Sequence, residues 1–101
     1  MSSLPRSTIL VRWTTASELD NFGFHVYRSR SEEGPFERLT EESIPGAGTT
    51  DETNRYEFLD RSVEAGEEYF YFVESISVDG ERKRLTPTRR FRAQPVDDQV
   101  R

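Results

Sequence analysis

Gly66-Glu67-Glu68-Tyr69-Phe70-Tyr71-Phe72-Val73-Glu74-Ser75-Ile76 is the stretch that decides the fold. Aromatic and β-branched residues dominate it, no proline interrupts it, and Gly66 and Gly80 bracket its neighbourhood. That composition predicts a long β-strand with apolar groups on both faces. A helix is the competing reading, but consecutive aromatics from Tyr69 to Phe72 leave no helical stripe. Strand alternation then sends Tyr69, Tyr71, Val73 and Ser75 inward and Phe70, Phe72, Glu74 and Ile76 outward.

The rest of the chain is placed relative to this strand. Ile9, Val11 and Trp13 alternate with Leu10 and Arg12, as in a half-buried strand. Thr14 to Gly23 reads as a polar connection ending in the turn formers Asp20, Asn21 and Gly23. Phe24-His25-Val26-Tyr27-Arg28 is the next strand, with Phe24 and Val26 inward and His25 and Tyr27 outward. Phe36–Leu39 is a short strand, residues 40–54 a loop with Ile44 as its apolar anchor, and Tyr56–Asp60 a further strand. The last strand runs through Leu85 and Arg89–Ala93, with Pro87 confining part of it to an edge or bulge. Six or seven short strands at this spacing predict an all-β, immunoglobulin-like antiparallel β-sandwich. Its expected core is Val11, Trp13, Phe24, Val26, Phe58, Tyr71, Val73 and Phe91. Residues 1–8 form an N-terminal stub or short strand, 9–93 the sandwich, and 94–101 a tail or linker.

A chain of 101 residues is one domain, with one core and little to spare. Hydrophobic and charged residues each make up 33%, so seven Phe, four Tyr and one Trp supply much of the buried bulk. The net charge of -5 argues against nucleic acid and anionic membranes as non-specific partners. Seven of the 14 basic residues nevertheless fall within 82–101, a basic final strand expected to pair with acidic neighbours such as Glu74. No cysteine is present, which excludes disulfides and thiolate metal sites. The N-terminus has no apolar run of signal-peptide length, and no segment is apolar enough to span a membrane. Either the protein is cytosolic or it is a module of a larger exported chain.

Trp13, the run Gly23–Ser29, and Val63-Glu64-Ala65-Gly66-Glu67-Glu68-Tyr69 together resemble a fibronectin type III domain. The stretch Trp13–Phe24 is similar to the version found in large bacterial exported and cell-surface proteins. The resemblance covers residues 9–93. It implies sheets A-B-E and C′-C-F-G packed face to face, an extracellular or cell-surface location within a larger exported protein, and Tyr69 as a tyrosine-corner residue. Two departures stand out. Only eight residues precede strand B, so strand A is short or missing, and the edge of strand B is open to another chain or a preceding domain. The family's integrin-binding Arg-Gly-Asp tripeptide is also absent.

Chemistry-bearing residues are few. His25 is the only histidine, which excludes a metal site built on His and Cys. It reads as an exposed strand residue beside Tyr27, without a nucleophile elbow anywhere in the chain. The acidic pairs Glu32-Glu33, Glu41-Glu42, Asp51-Glu52 and Glu67-Glu68 read as solvated turn residues. Gly46-Ala47-Gly48-Thr49-Thr50 lacks the lysine and the following helix of a phosphate loop. No catalytic residue, metal or cofactor is expected.

The informative feature is the outward face, where Tyr27, His25, Phe70, Phe72, Ile76, Arg90 and Arg92 form the candidate interaction surface. Two outcomes are open: an interface, or a face covered by residues 40–54 with Ile44 docked on it or by arginine stems. A cation–π contact of Arg90 or Arg92 with Phe70 or Phe72 fits both. The expected function is a non-catalytic structural or interaction module, a spacer or adhesion-type domain. Its partner would be a protein, a neighbouring domain, or a second copy bound through the strand B edge or the C-F-G face. The alternative is a carbohydrate- or polymer-binding accessory module that stacks a polysaccharide on Tyr27, Phe70 and Phe72.

Overall fold

The computed structural model describes residues 6–95. Nine strands follow one another: β1 (Arg6–Thr15), β2 (Glu18–Ser29), β3 (Glu37–Arg38), β4 (Ile44–Thr50), β5 (Asn54–Glu64), β6 (Glu68–Ser77), β7 (Arg82–Arg84), β8 (Arg89–Arg92) and β9 (Gln94–Pro95). No helix occurs among the described residues. One antiparallel sheet has the order β5-β1-β9. The other has the order β3-β2-β6-β7, with β4 also pairing β2 and β8 also pairing β6.

The two sheets enclose one core, as in a β-sandwich. Ile9, Val11, Trp13 and Val63 come from the first sheet, and Phe24, Val26, Tyr69, Tyr71 and Val73 from the second. Phe58 and Phe91 are partly buried against this cluster. Trp13 sits at its centre, edge-on to Phe24 at 5.4 Å and stacked on Tyr56 at 5.7 Å. Offset and edge-to-face contacts of this kind add to the area that each ring buries. Trp13 Nε1 is the one buried side-chain nitrogen or oxygen without a hydrogen-bond partner among the described residues.

A buried carboxylate bridges the sheets at one end. Asp60 of β5 is 3% exposed, and its oxygens accept from Tyr71 (2.6 Å) and Arg28 (3.0 Å) of the opposite sheet and from the Ser62 N–H and hydroxyl. Burial alone would raise the Asp60 pKa, and these donors hold it below its ordinary value instead. Nearby, Tyr69 closes a corner: its hydroxyl oxygen accepts the Glu64 N–H at 2.8 Å.

Three expectations need correction. Thr14–Gly23 is not a connection, because only Ala16 and Ser17 separate β1 from β2. The turn formers there make a bulged strand, with Asp20 at φ 50 and register shifts on either side of Asn21. Residues 40–54 are not all loop, since β4 pairs with the first half of β2. Glycine permits this close pairing, as a Cβ on Gly23 would stand 2.6 Å from the Ile44 carbonyl oxygen. The expected boundaries at 9 and 93 also fall inside paired segments: Ser7 pairs with Pro95 and Thr8 with Gln94. The remainder of the expected stub and tail, 1–5 and 96–101, lies outside the described residues.

Removing one partner of a buried ion pair leaves the other uncompensated. Asp60→Ala should therefore lower the unfolding free energy by about 3–5 kcal/mol in urea titrations, whereas Glu57→Ala, at the exposed Arg12–Glu57 pair, should cost well under about 1 kcal/mol.

Candidate functional site

The outward face expected to carry the interaction is largely closed. Phe72 is only 8% exposed. Tyr27 stacks on it from β2 (4.8 Å, 7°), the Arg84 guanidinium lies 3.8 Å from its centroid from β7, and Phe36 meets it edge-on at 5.0 Å. The covering arginine is therefore Arg84, not Arg90 or Arg92, which are exposed. Ile44 packs on the inner core instead of docking on this face. Phe70 and Ile76 are half-buried, opposite Arg90 and Arg82 respectively. Glu74 stands in register with Arg84 but accepts the Tyr27 hydroxyl at 2.9 Å, and Arg92 makes its ion pair with Glu68 at 3.0 Å.

His25 is also a correction. It is 5% exposed, with Nδ1 2.6 Å from the Thr40 hydroxyl oxygen. Thr40 follows β3, and its return toward β2 is what a strand-by-strand reading of the sequence misses. Burial lowers the His25 pKa from its ordinary 6.5, with Arg38 and Arg82 acting in the same direction and Glu74 opposing.

Another surface takes the place of that face. Of the large apolar residues exposed among those described, Leu19 (77%), Val78 (63%) and Leu85 (39%) line one cleft of about 480 Å³. One wall is the β1–β2 corner and the other is the β6–β7 hairpin. The walls are tied together by the Val78 N–H, which donates to the Asp20 carbonyl at 2.9 Å. Asp20, Asp79 and Glu81 stand around the cleft with Lys83 as a single cation, so its rim is acidic.

Glu18 fixes the corner wall. It is 8% exposed, and Oε2 accepts from Tyr56 (2.6 Å) and Thr15 (2.7 Å), while Oε1 accepts from Asn21 and the Ala47 N–H (both 2.8 Å). Those four donors come from β1, β2, β4 and β5. Burial would raise the pKa of Glu18, but the hydrogen bonds outweigh it and hold the carboxyl at about 2. In return, burial and the Glu18 charge push the Tyr56 phenol up to about 12. A carboxylate so engaged has no lone pair to spare for proton transfer, and its part in the cleft is to hold the wall.

Among the described residues no group of three or more His, Asp or Glu side chains is placed to hold a metal ion. No helix among them is long and apolar enough to cross a membrane. Neither a family model, nor a curated protein, nor a solved structure matches the chain.

Glu18 ionises at lower pH when folded than when unfolded. Its contribution, on the order of 3 kcal/mol, is thus present above its ordinary 4.5 and lost as pH falls toward about 2. His25, also depressed, adds a loss that begins as pH falls through 6.5. Glu18→Gln should lower stability at pH 7 by about 1–3 kcal/mol and flatten the fall in denaturation midpoint below pH 4.5. Phe72→Ala separates support from display: as a covered side chain it should cost about 3 kcal/mol, where a free stacking platform would cost almost nothing.

Proposed function

We propose that the chain is a non-catalytic interaction module with fibronectin type III topology, and that it docks a protein partner in the cleft at the β1–β2 corner. The observation that carries this reading is the meeting of Leu19, Val78 and Leu85 across one cleft, whose corner wall is braced by Glu18. Large apolar groups held in water on rigid elements cost solubility and mark surfaces that close on something. The acidic rim favours a partner that presents an apolar side chain flanked by lysine or arginine.

The family assignment draws support from the sheet orders β5-β1 and β3-β2-β6-β8, from the central Trp13, and from the Tyr69 hydroxyl bonded to the Glu64 N–H. Under the same proposal the module belongs to a larger exported or cell-surface chain. Polysaccharide stacking finds less support, because Phe72 is buried, with Tyr27 stacked on it and Arg84 over its ring.

A photoreactive amino acid at Leu19 or Val78, compared with one at Glu57 on the far sheet, identifies what contacts the cleft in cells that express the native protein. The captured protein, once purified, should bind the wild-type chain with an affinity that falls as salt rises. Leu19→Asp and Val78→Asp should each weaken it at least about tenfold while leaving the denaturation midpoint unchanged. Unaltered affinity in both folded variants would remove the cleft from consideration.

A further inference from the structure

β1 pairs with β5 along one side, while its other edge is taken by β9 only at Ser7 and Thr8. From Ile9 to Thr15 that edge has no partner strand among the described residues. Other sheet edges carry features that discourage strand addition. β5 bears Arg55, Glu57, Asp60, Arg61 and Glu64, β4 contains Pro45, and β7 and β8 are rich in arginine and separated around Pro87. Ile9-Leu10-Val11-Arg12-Trp13-Thr14-Thr15 has a single charge, no proline and no glycine. It is the edge on which such protection is missing.

The opposite layer reaches further. β8 runs through the buried Ala93 into β9, so β7 and β8 lie on the side of the open β1 edge. Their core-facing positions are Lys83 opposite Ser75, Leu85 bonded to the Val73 carbonyl, Arg89 opposite Tyr71, and Phe91 opposite Tyr69. Lys83 and Arg89 are exposed there, and Leu85 is 39% exposed. Among the described residues the first layer is one strand short above them, which leaves a trough with the β1 edge as its wall.

We infer that this trough takes an extended segment of a partner protein, alternately apolar and acidic, which adds to β1 as a strand. The free N–H and C=O groups of Ile9–Thr15 bind its backbone, as in other cases of strand addition. Apolar side chains on its inner face meet Leu85, Phe91 and the stems of Lys83 and Arg89, and the carboxylates, alternating onto the outer face, meet Arg12. A second folded copy does not fit by β1-to-β1 pairing, because its β6 would enter the layer that β7 and β8 already fill. Leu85 and Lys83 are shared with the cleft, but the backbone of Ile9–Thr14 is not part of it and Leu19 and Val78 take no part here, so the two readings can fail separately.

The test uses the full chain, isotope-labelled, and three capped heptapeptides. One is Thr-Val-Glu-Val-Glu-Val-Thr, one has both Glu replaced by Lys, and one has the central Val replaced by Pro. The acidic peptide should shift amide resonances of Leu10–Thr14 and slow their hydrogen exchange, and bind about tenfold more tightly than the lysine peptide. The proline peptide should not protect the edge, and Arg12→Glu should narrow or reverse the charge preference. No response of β1 to millimolar peptide, or equal affinity for the acidic and lysine peptides, would overturn the inference. So would edge amides already protected in the free protein, whether it is monomer or dimer, because the edge would then be occupied.

Discussion

The Glu18 carboxylate is the point on which the candidate surface depends. It has been taken almost wholly out of water, and an ion so placed is tolerable only if every lone pair finds a donor. Thr15, Asn21, Tyr56 and the Ala47 N–H supply those donors from four strands. The requirement fixes where β1 stops, how β2 bulges, how closely β4 approaches and which way Tyr56 turns. Tyr56 in turn stacks on Trp13, so the charge at the corner and the aromatic centre of the core are one assembly. Asp60 does similar work across the sheets through Arg28 and Tyr71. A lean core of about a dozen side chains is thereby closed by two buried charges, and the surfaces left over are an end and an edge.

Those leftovers are where an interaction module has room to work. The outer face of β2 and β6 looks like a binding platform in outline, with Tyr27, Phe72 and arginines side by side. Tyr27 and Phe36, however, pack on Phe72, and Arg84 lies over the same ring. Stacking energy spent inside the molecule is not available to a ligand. The β1–β2 corner and the β6–β7 hairpin differ because their apolar residues stand on short, tied elements and stay exposed among the described residues.

How much of this was legible in the sequence follows from which signals are local. The alternation of Tyr69–Ser75 and the inward Trp13, Phe24 and Val26 come from period-two patterning, which a single strand carries by itself, whereas the Tyr69 corner was implied only by the resemblance. Glu18–Gly23 and Ile44–Thr50 failed that reading because Asp, Asn, Gly and Pro signal turns on their own. Their strand character arises from pairing with one another, where the absent side chains of Gly23 and Gly46 let backbones approach. The burial of His25 by Thr40 and of Phe72 by Phe36 and Arg84 joins residues distant along the chain, and no periodicity announces it. Glu18 was likewise hidden, since a carboxylate beside a tight corner looks solvated until its donors are known. The β1 edge has no partner from Ile9 to Thr15 among the described residues only because of how the strands are ordered, and the trough floor formed by Leu85 and Arg89 likewise needed the second layer.

The most direct test of this account is the titration of the Glu18 side-chain carboxyl, followed by carbon-13 resonance in the labelled protein. A buried carboxylate holding four donors keeps its charge down to about 2, and the Ala47 amide and Tyr56 ring resonances should move with it in one transition. A midpoint near the ordinary 4.5, with Ala47 and Tyr56 unaffected, would mean that Glu18 faces water and that the corner, with the cleft built on it, is not held as described.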